Sequence, residues 1–338
     1  MAESTFYEVA QKEMQRLIGI YLELAAATAA FTNVRSIDVQ SEDARRVLLA
    51  GIGSSLDPGR TSAGEAIAEW SRMKAVTFET EPSITTGVYF HLRPYGRHFL
   101  DQIEADTNGF EKCSPEYVSA NPHFLPIFQH LAGIFSKAQL KQRIGSASDH
   151  LISPTAAERL ANVFNDRQLK GRVNKGEILQ RLESTLEGLV RDLVGKVLLE
   201  GLVATALASR SLPFQREKEY RYLSGVVYDF RADFVLPSAA NPQAFIEVRK
   251  SSSRHASLYA KDKMFSAINW KGNNKSLLGV LLVEGPWTSA TLQVMARIFD
   301  YVMPVTRASE VAEVLQAYLA GDTSKLRWII EFRISAAY

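Results

Sequence analysis

The chain has 338 residues, of which 46% are hydrophobic and 22% are charged, a composition typical of globular proteins. This balance excludes a disordered chain and a long coiled coil, and no apolar run reaches the roughly 18 residues that a membrane-spanning helix needs. The net charge is only +2, but residues 1–150 carry −4 and residues 151–338 carry +6. We therefore expect no membrane partner, and an anionic partner would contact mainly the C-terminal half.

The first residues and the single cysteine indicate the cellular compartment. The N-terminal stretch has acidic residues at Glu3 and Glu8 and neither a basic leader nor an apolar segment, unlike a secretory signal. We therefore expect a cytoplasmic protein. Cys113 has no second cysteine with which to form a disulfide within the chain, and no catalytic or zinc-binding pattern surrounds it, so we expect a structural thiol.

Two capping boxes mark helix starts in the N-terminal half. Thr5 with Glu8, and Ser62 with Glu65, have the spacing at which a hydroxyl and a carboxylate each accept the other residue's free backbone N–H. This pattern predicts a helix near each pair. The apolar periodicity extends the first helix to about residue 31.

The rest of the N-terminal half divides into strands, a helix and a linker. Two β-rich stretches, 75–80 and 85–93, are predicted strands, and the pattern over 124–144 predicts a helix. Residues 145–148 read Gly-Ser-Ala-Ser, a composition typical of linkers. We therefore predict a mainly helical N-terminal domain at residues 1–150 and a second domain at residues 151–338.

The C-terminal half alternates helices and strands. A hairpin signal, Ser-Gly at 224–225, predicts that the strands on either side of it are antiparallel. The pattern as a whole predicts a mixed α/β (α+β) fold. In chain order, the predicted elements are a helix at 177–209, strands at 214–223, 226–236 and 244–249, a helix at 254–269, a strand at 277–283, a helix at 289–300, a strand at 301–305 and a helix at 309–319.

Two carboxylates in these predicted strands point to a chemical function. Asp233 lies near the end of the second strand, and Glu247 lies on the third. An unpaired acid is costly to bury in a strand. Two carboxylates on adjacent strands can share Mg²⁺, which prefers oxygen ligands. A metal held there would polarise a phosphodiester and lower the pKa of a bound water, the two needs of phosphodiester hydrolysis.

This segment resembles a known family. Asp233, thirteen intervening residues and the run Glu247-Val-Arg249-Lys250 are similar to the motif of the PD-(D/E)XK nuclease superfamily, whose best-known members are type II restriction endonucleases. The resemblance covers roughly residues 177–320. It implies a restriction-endonuclease-like αβββαβ core, a Mg²⁺ cofactor bound by Asp233 and Glu247, and catalysis supported by Arg249 or Lys250.

The sequence departs from the family pattern at the motif lysine. Strand alternation places Arg249, at the lysine position, on the same face as Glu247, and an arginine does not deprotonate to act as a base. Three possibilities remain open. Arg249 is an electrostatic clamp while the metal site supplies the base, Lys250 arrives through a β-bulge, or Lys261 arrives from the next helix, where it aligns with Leu258, Phe265 and Ile268.

A third acid is a candidate metal ligand. Glu200 lies on the apolar stripe of the predicted long helix, where a charge is unexpected. Some members of the superfamily carry a helix glutamate that supports the metal site, so the resemblance implies a similar role for Glu200. A charge at the boundary of the apolar face is the alternative.

Basic residues outside the motif are candidate DNA contacts. Arg254, Lys261 and Lys263 lie near the start of the helix that follows the third strand, where a helix N-terminus and positive side chains favour phosphates. Arg93 and Arg97 belong to a polar stretch of the N-terminal half and are candidates for reading guanine. A solvated basic helix and an ordinary polar loop are the alternatives.

These patterns predict a cytoplasmic, Mg²⁺-dependent hydrolase that cleaves double-stranded DNA at specific sequences, like a type II restriction endonuclease. The N-terminal domain would contribute DNA recognition or dimerisation. Because both strands must be cut, a homodimer is expected. Two alternatives remain open: a structure- or modification-specific DNA nuclease of repair, recombination or transposition, and a noncatalytic DNA-binding module on a decayed nuclease fold.

Overall fold

A computed structural model describes residues 4–33, 39–73, 77–145, 148–168, 173–251, 256–331 and 334. The protein is mixed α/β, as predicted. Its helices are α1 (Phe6–Ala27), α2 (Glu42–Gly51), α3 (Ala63–Met73), α4 (Thr80–Asp106), α5 (Pro115–Ala120), α6 (Leu125–Leu131), α7 (Lys137–Ile144), α8 (Pro154–Gln168), α9 (Lys175–Leu193), α10 (Leu199–Ser209), α11 (Ala256–Asn273), α12 (Ser289–Met295) and α13 (Ala308–Leu319). Its strands are β1 (Gln215–Arg216), β2 (Phe234–Ser238), β3 (Asn241–Lys250), β4 (Leu278–Glu284) and β5 (Tyr301–Pro304). Within the described ranges, no helix combines the length and apolar composition needed to span a membrane.

The five strands form one mixed sheet in the order β1-β2-β3-β4-β5. β2 pairs antiparallel with both β1 and β3, whereas β3, β4 and β5 run parallel. β4 is buried over all but its last residue. Its nearly continuous apolar sequence is typical of a parallel strand that is covered on both faces.

The chain divides into two compact units that interleave along the sequence: Met1–Leu17 with Glu81–Gly195, and Ile18–Thr80 with Lys196–Tyr338. The domain boundary predicted near residue 150 lies inside the first unit. In that unit α8 packs against α5, and α9 packs against α6. Helices on both sides of the expected linker therefore belong to one packed body.

Each unit has its own aromatic core. In the first unit, the ring of Phe99 contacts Phe6 at a centroid distance of 5.4 Å and Phe124 at 4.8 Å. In the second unit, Phe245 of β3 packs edge-on against the fully buried Trp270 of α11 at 5.0 Å. The contact between Phe245 and Trp270 fixes α11 against the strand that carries Glu247.

Both capping boxes are confirmed. Thr5 N donates to Glu8 Oε2 at 2.8 Å and Glu8 N donates to Thr5 Oγ1 at 3.2 Å, at the start of α1. Ser62 and Glu65 exchange the same pair of bonds at the start of α3. Helix α1 ends at Ala27, slightly before the predicted end near residue 31.

The strand predicted at 85–93 is wrong, because this segment lies inside α4. Ile84, Val88 and Leu92 are fully buried at intervals of four residues, the spacing of one face of a helix. The β-branched residues of this stretch favour a strand. Burial of a helical stripe outweighs that local preference.

The strand predicted at 75–80 is also wrong in its described part. Residues 77–79 form no strand, and α4 begins at Thr80. The remaining positions, 75 and 76, lie outside the described residues. Thr80 is buried, and its hydroxyl lies 3.1 Å from that of Tyr21, so tertiary contacts fix this junction.

The strands predicted at 214–223 and 226–236 are much shorter than expected. Only β1 and β2 remain of them, together with one antiparallel bridge between Leu223 and Phe230. The bridge confirms the antiparallel direction that the Ser-Gly hairpin signal predicts. The chain between the bridge and β2 is irregular, and side-chain hydrogen bonds hold it in place of a strand ladder.

Candidate active site

β2 and β3 bring the two predicted carboxylates together. The strands are antiparallel with Phe234 opposite Ile246, so Asp233, just before β2, lies beside Glu247 on β3. Asp233 is 8% exposed and Glu247 is completely buried. Two acids separated by thirteen residues in sequence therefore share one end of the hairpin.

One guanidinium bridges both carboxylates. Arg249 Nη1 donates to Asp233 Oδ2 at 2.8 Å, and Nη2 donates to Glu247 Oε2 at 2.7 Å. Arg249 reaches both because side chains two residues apart on a strand lie on the same face, as predicted from the sequence. The backbone N–H of Val248 also donates to Asp233 Oδ2, at 2.7 Å, and fixes that carboxylate to β3.

Lys263 of α11 is a second cation at the site. Its Nζ lies 3.0 Å from Glu247 Oε2, and only 8% of its side chain is exposed. The helix buries Ala260, Lys263, Ala267 and Trp270 against the second unit's core. Positions 260, 263, 267 and 270 form one helical face, so the lysine points to the sheet.

The orientation predicted for Lys261 is wrong. Lys261 is exposed, and so is Phe265, one of the residues that defined its supposed apolar stripe. The buried face is instead the one that carries Lys263, a residue whose position in the sequence predicts a contact with DNA phosphates. Ala267 and Trp270, four and seven residues after Lys263, are the sequence signal that identifies this face.

The possibility that a β-bulge brings Lys250 to the site is wrong. β3 pairs with β4 in unbroken register, from Ala244 opposite Leu278 to Lys250 opposite Glu284. Alternation therefore places Lys250 on the face opposite Glu247, and Lys250 is exposed. Of the three residues considered for the role of the motif lysine, Arg249 is the one that contacts the carboxylates. Lys263, which was not among the three, contacts Glu247 as well.

Burial dominates the electrostatics of Glu247. Burial and, to a smaller extent, the Asp233 charge raise its pKa, Arg249 and Lys263 lower it, and the net pKa of Glu247 is about 8. Glu247 Oε1 is buried and has no hydrogen-bond partner among the described residues. A carboxyl in this state ionises more readily when a further cation approaches it.

Glu200 lies within electrostatic reach of Asp233. Glu200 is exposed at the start of α10; partial loss of solvent around its carboxyl raises its pKa, the Asp233 charge raises it further, and Arg216 opposes both effects. In the described part of the chain, however, no three Asp, Glu, His or Cys side chains come together in a group able to hold a metal. The three-ligand set expected from Asp233, Glu247 and Glu200 is therefore not assembled there.

Asp233 and Glu247 nevertheless fit a hard divalent cation. Mg²⁺ is commonly bound by one or two carboxylates together with substrate phosphate oxygens and water. The two acids supply such a pair from neighbouring strands, and Glu247 Oε1 is an acceptor that the described residues leave unsatisfied. The residues present therefore fit a Mg²⁺ site with two carboxylate ligands.

Tyr220 is a residue of the site that sequence reasoning missed. Its hydroxyl donates to Ala232 O at 2.7 Å and accepts from Ala232 N at 2.6 Å. These two bonds hold the residue before Asp233, where the chain has no strand partner. Burial raises the pKa of Tyr220 well above its usual value, so the phenol keeps its proton. No spacing pattern in the sequence signals this contact.

The remaining predicted DNA contacts lie elsewhere or outside the described residues. Arg254 lies outside them. Arg93 and Arg97 are exposed on α4 of the first unit rather than in a loop at a strand end. Arg93 Nε donates to Glu183 at 3.0 Å, which partly neutralises its charge.

Comparison of the chain with protein-family models, with curated proteins and with solved structures gives no match. The case for a function therefore depends on the site itself.

Proposed function

We propose that this protein is a Mg²⁺-dependent DNA endonuclease similar to type II restriction enzymes. The main support is the buried cluster in which Asp233 and Glu247 lie beside Arg249 and Lys263. Phosphodiester hydrolysis needs acidic ligands for a metal and positive charge for the transition state. The cluster supplies the acidic ligands and the positive charge from one end of the β2–β3 hairpin and from helix α11.

Each residue has a distinct role in this proposal. Asp233 and Glu247 bind the metal, which when bound polarises the phosphodiester and activates a water. Arg249 presents a planar fork suited to two phosphate oxygens. Lys263 places a compact positive charge beside Glu247, where it can stabilise charge that develops on the phosphate. Tyr220 is a positioning residue that holds the backbone before Asp233.

The proposed substrate is double-stranded DNA, cut at specific sequences. Hydrolysis of both strands needs two sites, so we expect a homodimer whose symmetry matches a palindromic sequence. The positive charge of residues 151–338 favours a polyanion. The location proposed for such an enzyme is the cytoplasm.

The test is cleavage of plasmid DNA by wild type, Asp233→Asn and Glu247→Gln, with Mg²⁺ and with a chelator. Wild type should cleave only with Mg²⁺, and each variant should lose at least about 10²-fold in rate. Glu313→Gln is the matched control, because Glu313 is an exposed acid that pairs with Arg210 at the surface. Equal cleavage by all four proteins would contradict the proposal.

A noncatalytic DNA-binding module is the second candidate, and one observation favours it. Arg249 and Lys263 already pair with the two carboxylates in the cluster, and Arg249 occupies the motif lysine position. A wild-type protein that binds duplex DNA but does not cleave it at any Mg²⁺ concentration would support this second function.

A further inference from the structure

A group of exposed aromatic side chains lies in the two chain segments that also build the carboxylate cluster. We call the exposed rings of Tyr222, Phe230 and Phe265, together with the half-buried ring of Tyr228 and the exposed side chain of Val227, the aromatic surface. Tyr222, Val227, Phe230 and Phe265 are each 41–48% exposed. The Tyr228 ring stacks on Phe265 at a centroid distance of 5.6 Å and meets Phe230 edge-on at 5.9 Å.

The loop that carries these rings is tied firmly to α11. Asn269 Oδ1 accepts from Val227 N at 2.7 Å, and Asn269 Nδ2 donates to Tyr228 O at 2.8 Å. Gly225 approaches the same side chain so closely that a Cβ would lie 1.9 Å from Asn269 Nδ2. The loop therefore holds its aromatic residues outward in a fixed arrangement, instead of burying them.

Positive side chains border the aromatic surface. The Arg221 guanidinium lies over the Tyr222 ring at 5.6 Å, and Arg231, which follows Phe230 in sequence, is exposed and lies 3.5 Å from Glu217 Oε1. Exposed aromatic rings interleaved with arginines are the combination on which nucleic-acid bases stack while the phosphates meet positive charge. A stable protein interface would need roughly 20–30 residues a side, far more than this surface offers.

The aromatic surface adjoins the proposed catalytic residues through the chain that leads into β2. Phe230 precedes Asp233 by three residues, whereas Phe265 lies on the exposed side of α11, away from the buried face that carries Lys263. Because three residues of extended chain span at most about 10 Å, a DNA strand whose phosphate lies at the carboxylates has its neighbouring nucleotides within reach of Phe230 and the rings packed beside it. Bases inside a duplex are stacked on one another, so only an unpaired or flipped base can stack on a side chain.

We propose that the aromatic surface binds unpaired bases of a DNA strand next to the phosphate to be cleaved. This inference rests on the proposed nuclease function and specifies what the protein recognises beside the cleaved phosphate: bases that are unpaired in a single-stranded stretch or flipped out of the duplex.

The test measures DNA binding in a chelator, so that no cleavage occurs. One probe is a fluorescent duplex with a single-stranded thymidine tail, and the other is the same duplex with blunt ends. Wild type should bind the tailed duplex more tightly. Phe230→Ala and Phe265→Ala should weaken that binding about five- to a hundredfold and leave blunt-duplex binding unchanged.

Two further variants sharpen the test. Phe90→Ala is the matched control, since Phe90 is a 42% exposed phenylalanine of the first unit, and it should bind as wild type. Phe265→Leu keeps apolar bulk without a ring and should lose most of the preference for the tail. Circular dichroism of each variant checks that the fold is intact.

Several outcomes would overturn the inference while the nuclease proposal stands. These are equal affinity of wild type for the two probes, unchanged affinity in both ring variants, or loss of self-association in those variants, which would make the surface a subunit contact. Cleavage of plasmid DNA with Mg²⁺ is measured separately. If wild type neither binds DNA nor cleaves it, the proposed function fails as well.

Discussion

Lys263 Nζ lies 3.0 Å from Glu247 Oε2. Helix α11 therefore places a lysine beside Glu247 of β3, the strand on which Arg249 occupies the position of the motif lysine. The two residues are brought together by the packing of Trp270, on the same helix face as Lys263, against Phe245 of β3. The site thus has a lysine and an arginine from different elements. This arrangement yields predictions that separate Lys263 from its exposed neighbours.

Lys263→Met should lower the DNA cleavage rate about 10²- to 10³-fold, because it removes one positive group from the transition state. It should also lower the free energy of unfolding by up to about 5 kcal/mol, because Glu247 loses a buried partner. Lys261→Met, two residues away and exposed, is the control. Cleavage rates and urea unfolding measure both effects, and equal rates for the two variants would contradict a role for Lys263.

Tyr220→Phe should destabilise the segment that carries Asp233. The change removes the hydroxyl that bonds both Ala232 N and Ala232 O, and a buried polar group left unpaired costs about 1–3 kcal/mol. We expect a loss of cleavage rate in Tyr220→Phe and an unchanged rate in the control Tyr95→Phe, which removes from the first unit a half-buried tyrosine hydroxyl that donates to Ser4 O. Unchanged cleavage in Tyr220→Phe would show that the contact does not position Asp233.

The stability of the protein should fall in mild acid because of His130. Burial, aided by the Arg181 charge, lowers the pKa of His130 to about 4, below the roughly 6.5 of the unfolded chain. The unfolded state therefore takes up a proton first as the pH falls, and stability present above about pH 6.5 is lost between there and about pH 4.

The expected loss from His130 is about 2 kcal/mol between about pH 7 and about pH 5. His130→Gln should remove this part of the pH dependence, whatever its effect at neutral pH from the lost contact with Thr185. Urea unfolding at the two pH values measures it, with the exposed His98→Gln as control. An unchanged pH dependence in His130→Gln would refute the assignment.

The sequence indicates the site better than it indicates the elements around it. Antiparallel pairing of β2 and β3 places Asp233 beside Glu247, and side-chain alternation along β3 places Arg249 on the same face as Glu247. Both rules can be applied to the sequence directly. The sequence does not predict the place of Lys263, because two faces of α11 are both partly apolar and only tertiary packing selects the one with Trp270.

Other differences arise where local preference and burial disagree. The 85–93 stretch has the β-branched residues of a strand, yet its spacing of buried residues is helical. The chain from 214 to 233 has strand-like composition, but hydrogen bonds from Tyr220 and Asn269 replace most of the ladder. Contacts of this kind join residues far apart in sequence, and no periodicity encodes them.

The central claim is that Asp233 and Glu247 form a metal site, and calorimetric titration of Mg²⁺ into the folded protein with uncleavable duplex DNA tests it most directly. The account predicts saturable binding by wild type and by Glu313→Gln, and loss of that binding in Asp233→Asn and Glu247→Gln. Binding that persists unchanged in both of these variants, or no binding by wild type, would contradict it.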